Sequence, residues 1–251
     1  MSTLILTTCM GRLDHLRQTF PTWQVRTPCD VAVVDHVCPD ECGKELRMEH
    51  PIDGPVGRRL TVLRYPPELV ETRSGQPIFN KCKALNYGLE WARMQDRYDS
   101  VLLLDADTRL HRGFWEEWGP CAGGDQFDYI VPKLETRSLT GVLLVRLQHL
   151  KAIGGFDEGM AGWGCEDLDV RLRLFLCARL TAQGHFAQGL LSAIDHDDEL
   201  RTRHYASRDT QATNYHNKAR MLENLRACRG WSYEDALREL RAPEVIALLV
   251  T

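Results

Sequence analysis

The sequence predicts an α/β protein built on a mostly parallel, doubly wound sheet. Three observations carry that expectation. Short runs that are apolar or nearly so recur at Leu4-Ile5-Leu6, Val31-Ala32-Val33-Val34, Leu60-Thr61-Val62-Leu63 and Val101-Leu102-Leu103-Leu104, the pattern of strands buried on both faces. Segments of helical period lie between them. Acidic residues directly follow two of the runs, at Asp35 and at Asp105-Ala106-Asp107, where open α/β sheets bind their ligands.

Each element has its own warrant. Leu13, Leu16 and Phe20 recur at helical spacing after the first run. From Pro39 to Pro55 the chain is polar and punctuated by Gly and Pro, which predicts a loop around a short helix. Residues 80–95 place Cys82, Leu85, Leu89 and Ala92 on one face of an amphipathic helix. Gly88 costs such a helix about 1 kcal/mol relative to Ala and implies close approach by a neighbour. Phe127–Pro132 and Gly141–Leu147 predict two further strands. Gly154-Gly155-Phe156-Asp157 is a turn leading to Trp163-Gly164-Cys165-Glu166-Asp167, and a Leu- and Arg-rich helix runs from Leu168 to about residue 180. Gly189–Ile194 predicts a last strand, and beyond His196 the chain is polar and arginine-rich, with helices near 210–228 and from Tyr233. The simplest division is one domain over residues 1–200 and a C-terminal helical extension over 201–251.

Composition narrows the class. The 251 residues are 26% charged and 43% apolar, with a net charge of −4, which argues against a nucleic-acid binder and its basic footprint. No apolar run approaches the roughly 18 residues that span a bilayer. The opening MSTLILTTCMGR has no basic region ahead of its apolar stretch and reads as a strand. Nine cysteines without a repeating spacing predict buried free thiols in a reducing, cytoplasmic compartment. Cys38 and Cys42 lack a second pair at zinc-ligand spacing, which predicts no zinc there.

Two carboxylates alternating around one small residue can hold a divalent cation through oxygen and present it to a phosphate; a solvated acidic turn is the plain alternative. Asp107 is the expected direct ligand, with Asp105 on ribose or ligating through water. Glu166 and Asp167 open a helix, where carboxylates favour the positive end of the dipole. Trp163 between two glycines offers an indole to a sugar face or fills a core. His196 stands among Asp195, Asp197 and Asp198, which predicts a raised pKa or a metal ligand, with simple hydrogen bonding as the alternative. Asp35 suits recognition of a base or ribose. Arg12, Lys81 and Lys83 offer charge to a diphosphate or stand as surface cations, and Lys81 reads as a surface cation. Arg201, Arg203, His204, Tyr205 and Arg208 form a basic, aromatic stretch. It reads as a solvated helix packed on the core, with an acidic acceptor or a lipid-phosphate surface (peripheral membrane contact) as the other reading.

Five segments taken together, TTCMGRLDHLRQTFPTW, VAVVDHVCPD, NKCKALNYGLEWA, VLLLDADTRL and GGFDEGMAGWGCEDLDVRLRL, resemble the GT-A glycosyltransferases of family 2 and the β1,4-galactosyltransferase-like group. The last segment resembles their GWGGED signature, with Cys165 in place of one glycine. The resemblance spans residues 4 to about 200. It implies the GT-A fold, a Rossmann-like sheet flanked by helices, with residues 1–200 as the catalytic domain. It also implies an inverting transfer of a hexose or N-acetylhexosamine from a UDP-sugar to an acceptor hydroxyl. The acceptor class is open among glycan, lipid-linked, peptide and small-molecule hydroxyls. By position, Asp107 and His196 match the ligands of Mn²⁺ (or Mg²⁺), and Asp167 matches the catalytic base with Glu166 beside it. Thr8, Arg12, Asp35, Lys83, Asp105 and Trp163 fall in the nucleotide-sugar site. Ala193 occupies the place of a methionine ligand, so Asp195, Asp197 or water is expected to complete the metal shell.

Two other functions are consistent with such a fold. A sugar nucleotidyltransferase carries a glycine-rich basic loop after its first strand, but Thr7–Arg12 holds a single glycine. A non-catalytic nucleotide-sugar or cation-binding module needs no base, and Asp167 argues against it.

Overall fold

A computed structural model describes residues 2–24, 29–49, 59–118, 126–132 and 137–241. The first apolar run becomes β1 (Thr3–Cys9), followed by α1 (Leu13–Gln24), β2 (Asp30–Asp35), α2 (Cys42–Glu49) and β3 (Leu60–Arg64). A small hairpin of β4 (Thr72–Arg73) and β5 (Gln76–Pro77) precedes α3 (Lys81–Met94) and β6 (Ser100–Leu103). The short helix expected between Pro39 and Pro55 is α2; residues 50–58 lie outside the described chain.

Beyond the acidic turn come β7 (Thr108–Leu110), α4 (Phe114–Trp118), β8 (Tyr129–Pro132), β9 (Leu143–Arg146) and α5 (Leu147–Ala152). The remainder is α6 (Glu166–Leu172), β10 (Gln183–Phe186), β11 (Leu191–Ala193), α7 (Asp198–Thr202), α8 (Thr210–Arg229) and α9 (Tyr233–Leu240). The helix expected to run to about residue 180 instead loosens into π-type hydrogen bonding over Arg173–Cys177.

Among the described residues, seven strands form one sheet in the order β10-β8-β9-β6-β1-β2-β3. Only β9 runs against its neighbours, β6 and β8. Because β1, β2 and β6 are parallel and in register, with Cys9 opposite Asp35 and Leu6 opposite Leu103, their carboxyl ends share one edge. Apolar side chains from alternate positions feed two cores, with Leu4, Leu6 and Leu103 facing α3 and Ile5, Leu102 and Leu104 facing α1. This is the mostly parallel α/β architecture expected from the sequence.

The close approach expected at Gly88 is to the sheet. A Cβ there would stand 2.6 Å from Leu6 Cδ1 and 2.9 Å from Val34 Cγ2. Gly88→Ala, which gains about 1 kcal/mol in an ordinary helix, should here destabilise by roughly 1–3 kcal/mol through overpacking. Urea unfolding checks this: the midpoint falls at an unchanged m-value, whereas a rise would contradict the packing.

Candidate active site

At the shared carboxyl edge the chain leaves β6 and turns at Ala106-Asp107. Helix α1 fixes that turn from below. Thr19 Oγ1 donates to the Ala106 carbonyl at 2.7 Å, and Trp23 Nε1 donates to that of Thr108 at 2.7 Å. The chain then enters the β7–β11 ribbon, in which Thr108 pairs with Ala193 and Ile194 N donates to the Asp107 carbonyl at 2.8 Å. This register brings His196 to Asp107 across 89 residues of sequence, with Nε2 2.7 Å from Asp107 Oδ2.

The second acidic cluster arrives from α6. Gly162, Cys165 and Gly164 all have positive φ, at 75°, 69° and 105°, and this kinked loop sets Glu166 and Asp167 in the first helical turn. Helix α8 clamps it. Asn217 Nδ2 donates to the Gly164 carbonyl at 2.7 Å and Asn217 Oδ1 accepts from Ala161 N at 3.2 Å, while Thr213 Oγ1 donates to the Trp163 carbonyl at 3.0 Å. A Cβ on Gly162 would meet Thr213 Cγ2 at 2.5 Å. Trp163 keeps 36% of its surface exposed, with the Arg201 guanidinium 5.7 Å over its ring.

Lys81 lies between the two clusters. Its Nζ is 3.0 Å from Asp105 Oδ1, 3.2 Å from Asp167 Oδ1 and 3.5 Å from Glu166 Oε1, and its side chain is only 13% exposed. The expectation of a surface cation is corrected here: at the first position of α3, Lys81 points into the site. Burial pulls its pKa down, but Asp105, Asp167 and Glu166 outweigh burial and hold it well above the usual lysine value. Burial, with Asp167 beside it, pushes Glu166 up to about 7. Burial also raises Asp105, against the pull of Lys81. Asp105 fits because Gly141 has no side chain; a Cβ there would sit 2.1 Å from Asp105 Oδ2.

These groups line one cavity of about 600 Å³, together with Thr8, Arg12, Thr140 and Asp195. Arg12 Nη2 donates to the Leu200 carbonyl at 3.2 Å. Two buried atoms there, Arg12 Nη1 and Asp107 Oδ1, have no hydrogen-bond partner among the described residues. A spare guanidinium donor beside a spare carboxylate acceptor suits an anion bridged to a cation.

Eight predicted site residues therefore meet in the cavity: Thr8, Arg12, Asp105, Asp107, Trp163, Glu166, Asp167 and His196. Two predicted nucleotide contacts stand elsewhere. Lys83 lies two residues after Lys81, about 200° around the helix, and pairs with Glu71 at 2.9 Å. Asp35 does not line the cavity. Its carboxylate accepts from Cys38 N at 2.8 Å and Gly43 N at 3.2 Å, securing the chain that enters α2. Asp197 is engaged as the N-cap of α7, accepting from Leu200 N at 2.7 Å. Leu200, Arg201, His204 and Tyr205 line the cavity too, so the basic stretch is part of the site wall, where a solvated helix was expected. Phe79 stacks on Tyr205 at 5.6 Å. No sequence signal singled out Phe79, whereas Tyr205 belonged to a visible basic-aromatic stretch.

Comparison with known proteins follows the same lines. Residues 124–187 match a family model described as the N-terminal domain of galactosyltransferase. Mouse β-1,4-galactosyltransferase 1 is 29% identical over 111 residues, which cover 42% of this chain and 27% of that protein. The chain thus spans about a quarter of that relative's length. S. aureus TarS (residues 1–349, in complex with UDP) superposes with a TM-score of 0.62 at 12% identity, covering 99% of this chain and 71% of that one. A variant of Drosophila β1,4-galactosyltransferase 7 complexed with manganese, UDP-Gal and xylobiose superposes with a TM-score of 0.50 at 18% identity, covering 85% and 79%. The chain has the GT-A glycosyltransferase fold, with a galactosyltransferase-like segment over residues 124–187. The two structural likenesses establish the fold, and the family model lies on the chain's second half, from just before β8 through β10.

Glu166 gives the site a pH signature. It ionises at about 4.5 in the unfolded chain and about 7 in the folded one. Between those values the folded chain holds a proton that the unfolded chain has released. Its contribution is full below about pH 4.5 and is lost as pH rises through about 7. From about pH 4.5 to 8 the wild type should lose up to about 3 kcal/mol more stability than Glu166→Gln. Urea midpoints measured across that range decide it, and parallel pH slopes for the two proteins would contradict the assignment.

Proposed function

We propose that this chain is a metal-dependent, inverting glycosyltransferase that moves a hexose or N-acetylhexosamine from a UDP-sugar to an acceptor hydroxyl. The observation that carries the proposal is the meeting of two groups in one cavity. The Asp107–His196 pair stands beside Arg12, and Asp167 is held by Lys81. The ligands of the similar structures, UDP in TarS and manganese with UDP-Gal in the Drosophila enzyme, support the same reading.

The donor atoms fit a hard divalent cation. Asp107 has a buried carboxylate oxygen to spare, His196 adds a ring nitrogen, and Asp195 lines the same cavity. Oxygen-rich sets with an imidazole suit Mn²⁺ or Mg²⁺. Asp195 would stand in for the methionine that Ala193 replaces, because Asp197 is committed to its cap. When bound, such an ion supplies positive charge to the leaving diphosphate.

The remaining steps belong to side chains. Arg12 directs its spare Nη1 toward phosphate oxygen, and Trp163 offers its exposed indole face to a sugar. Lys81, 3.2 Å from both Asp167 oxygens, fixes the direction of that carboxylate. Asp167 then takes the acceptor's proton as that oxygen bonds to the anomeric carbon and the bond to diphosphate breaks. Attack from the face opposite the diphosphate inverts the anomeric centre. The acceptor is a glycan, lipid-linked, peptide or small-molecule hydroxyl.

The test separates the two groups. Asp167→Asn should lower kcat for transfer roughly 10²–10⁴-fold, the usual share of a general base, with UDP affinity little changed. Asp107→Asn should remove metal-dependent UDP affinity itself. Undiminished transfer by Asp167→Asn, alongside an inactive Asp107→Asn, would remove Asp167 from its role.

A further inference from the structure

Three cysteines far apart in the sequence meet beside the site. Cys9 ends β1, Cys38 follows β2 and Cys42 opens α2. Their sulfurs all lie within 4.8 Å of one another. Cys9 and Cys42 are fully buried and Cys38 nearly so. Counting Cys38 and Cys42 as a lone pair predicted no zinc; the third thiol comes from a strand 29 residues upstream.

The spacing suits a shared ion. Cys9 Sγ and Cys38 Sγ are 3.8 Å apart. Thiolates at about 2.3 Å from a tetrahedral zinc ion have their sulfurs about 3.8 Å apart. A backbone N–H and a helix end face the sulfurs. Gly11, turned to a φ of 64°, donates its N–H to Cys38 Sγ at 3.1 Å. Cys42 sits in the first turn of α2, at the positive end of its dipole. Val37 and Glu41, which immediately precede Cys38 and Cys42, hold left-handed φ values of 53° and 48°. Non-glycine residues adopt that conformation at a cost, and here it turns both cysteines inward.

We infer that Cys9, Cys38 and Cys42 bind one thiophilic d¹⁰ cation, and that the ion is zinc. Three thiolates leave a net charge of −1 around Zn²⁺ and −2 around Cu⁺, and buried uncompensated charge is costly. The ion ties together β1, the loop after β2 and α2. Met10 and Arg12, which line the cavity, are one and three residues after the first ligand, so the ion also steadies one wall of the proposed donor site. None of its ligands takes part in the proposed reaction, so this site and that reaction stand or fall separately.

Cobalt titration of the full chain, reduced and stripped of metal, tests the inference by absorption spectroscopy. One equivalent of Co²⁺ should give sulfur-to-cobalt charge-transfer bands, and one equivalent of Zn²⁺ should bleach them. Cys38→Ser, with its fold checked by circular dichroism, should lose the bands. Cys228→Ser, altering an exposed thiol, and Asp107→Asn, altering the other proposed metal site, should keep them. Cobalt uptake by the wild type without charge-transfer bands would overturn the inference. So would a Cys9–Cys38 disulfide that, once reduced, leaves a chain unable to bind cobalt. The wild-type spectrum decides the matter even where a variant fails to fold.

Discussion

One buried lysine among three carboxylates is the constraint on which the site depends. Asp105 comes from the end of β6, and Glu166 and Asp167 come from the start of α6. In so little water these like charges would repel one another and pay heavily for desolvation. Lys81 offsets both costs because α3 delivers its ammonium within 3.5 Å of all three. Even so, one positive charge does not balance three negative ones. Glu166 accordingly gains protons near neutrality, at about 7. The lysine thereby assembles three distant segments.

The rest of the architecture brings that cluster into one cavity with the Asp107–His196 pair. The β7–β11 ribbon sets the pair's register, and Thr19 and Trp23 of α1 anchor the carbonyls on either side of Asp107. Helix α8 grips the Trp163 loop through Asn217 and Thr213. Asn224 links Asp157 to the buried Asp169, which Arg173 pairs at 2.5 Å. Helix α8 therefore braces the glycine-rich loop that leads into α6.

Much of this was legible in the chain because it is written locally. Four short runs mark β1, β2, β3 and β6, since strands covered on both faces need no alternation. The acids at Asp105, Asp107, Glu166 and Asp167 stand out because they follow a strand end or open a helix. His196 was visible as a histidine among aspartates. Other features were invisible because they arise only from packing. Lys81 looks like any lysine in a helical first turn until Asp105 and α6 close over it. Asp35 ends its strand as a binding aspartate does, yet the Cys38 and Gly43 amides claim its oxygens. Cys9 joins Cys38 and Cys42 only through the parallel pairing of β1 with β2. The roles of Thr19 and Trp23 carry no motif, since a threonine and a tryptophan on an apolar helix face announce nothing but core.

Calorimetric titration of UDP into the chain tests whether Asp107 and His196 bind a nucleoside diphosphate through a divalent cation, as proposed. With Mn²⁺ present, binding should be saturable and one-to-one, weakened at least tenfold by chelation and lost in Asp107→Asn. UDP binding of equal strength with and without the cation, or no UDP binding in either condition, would contradict the proposal.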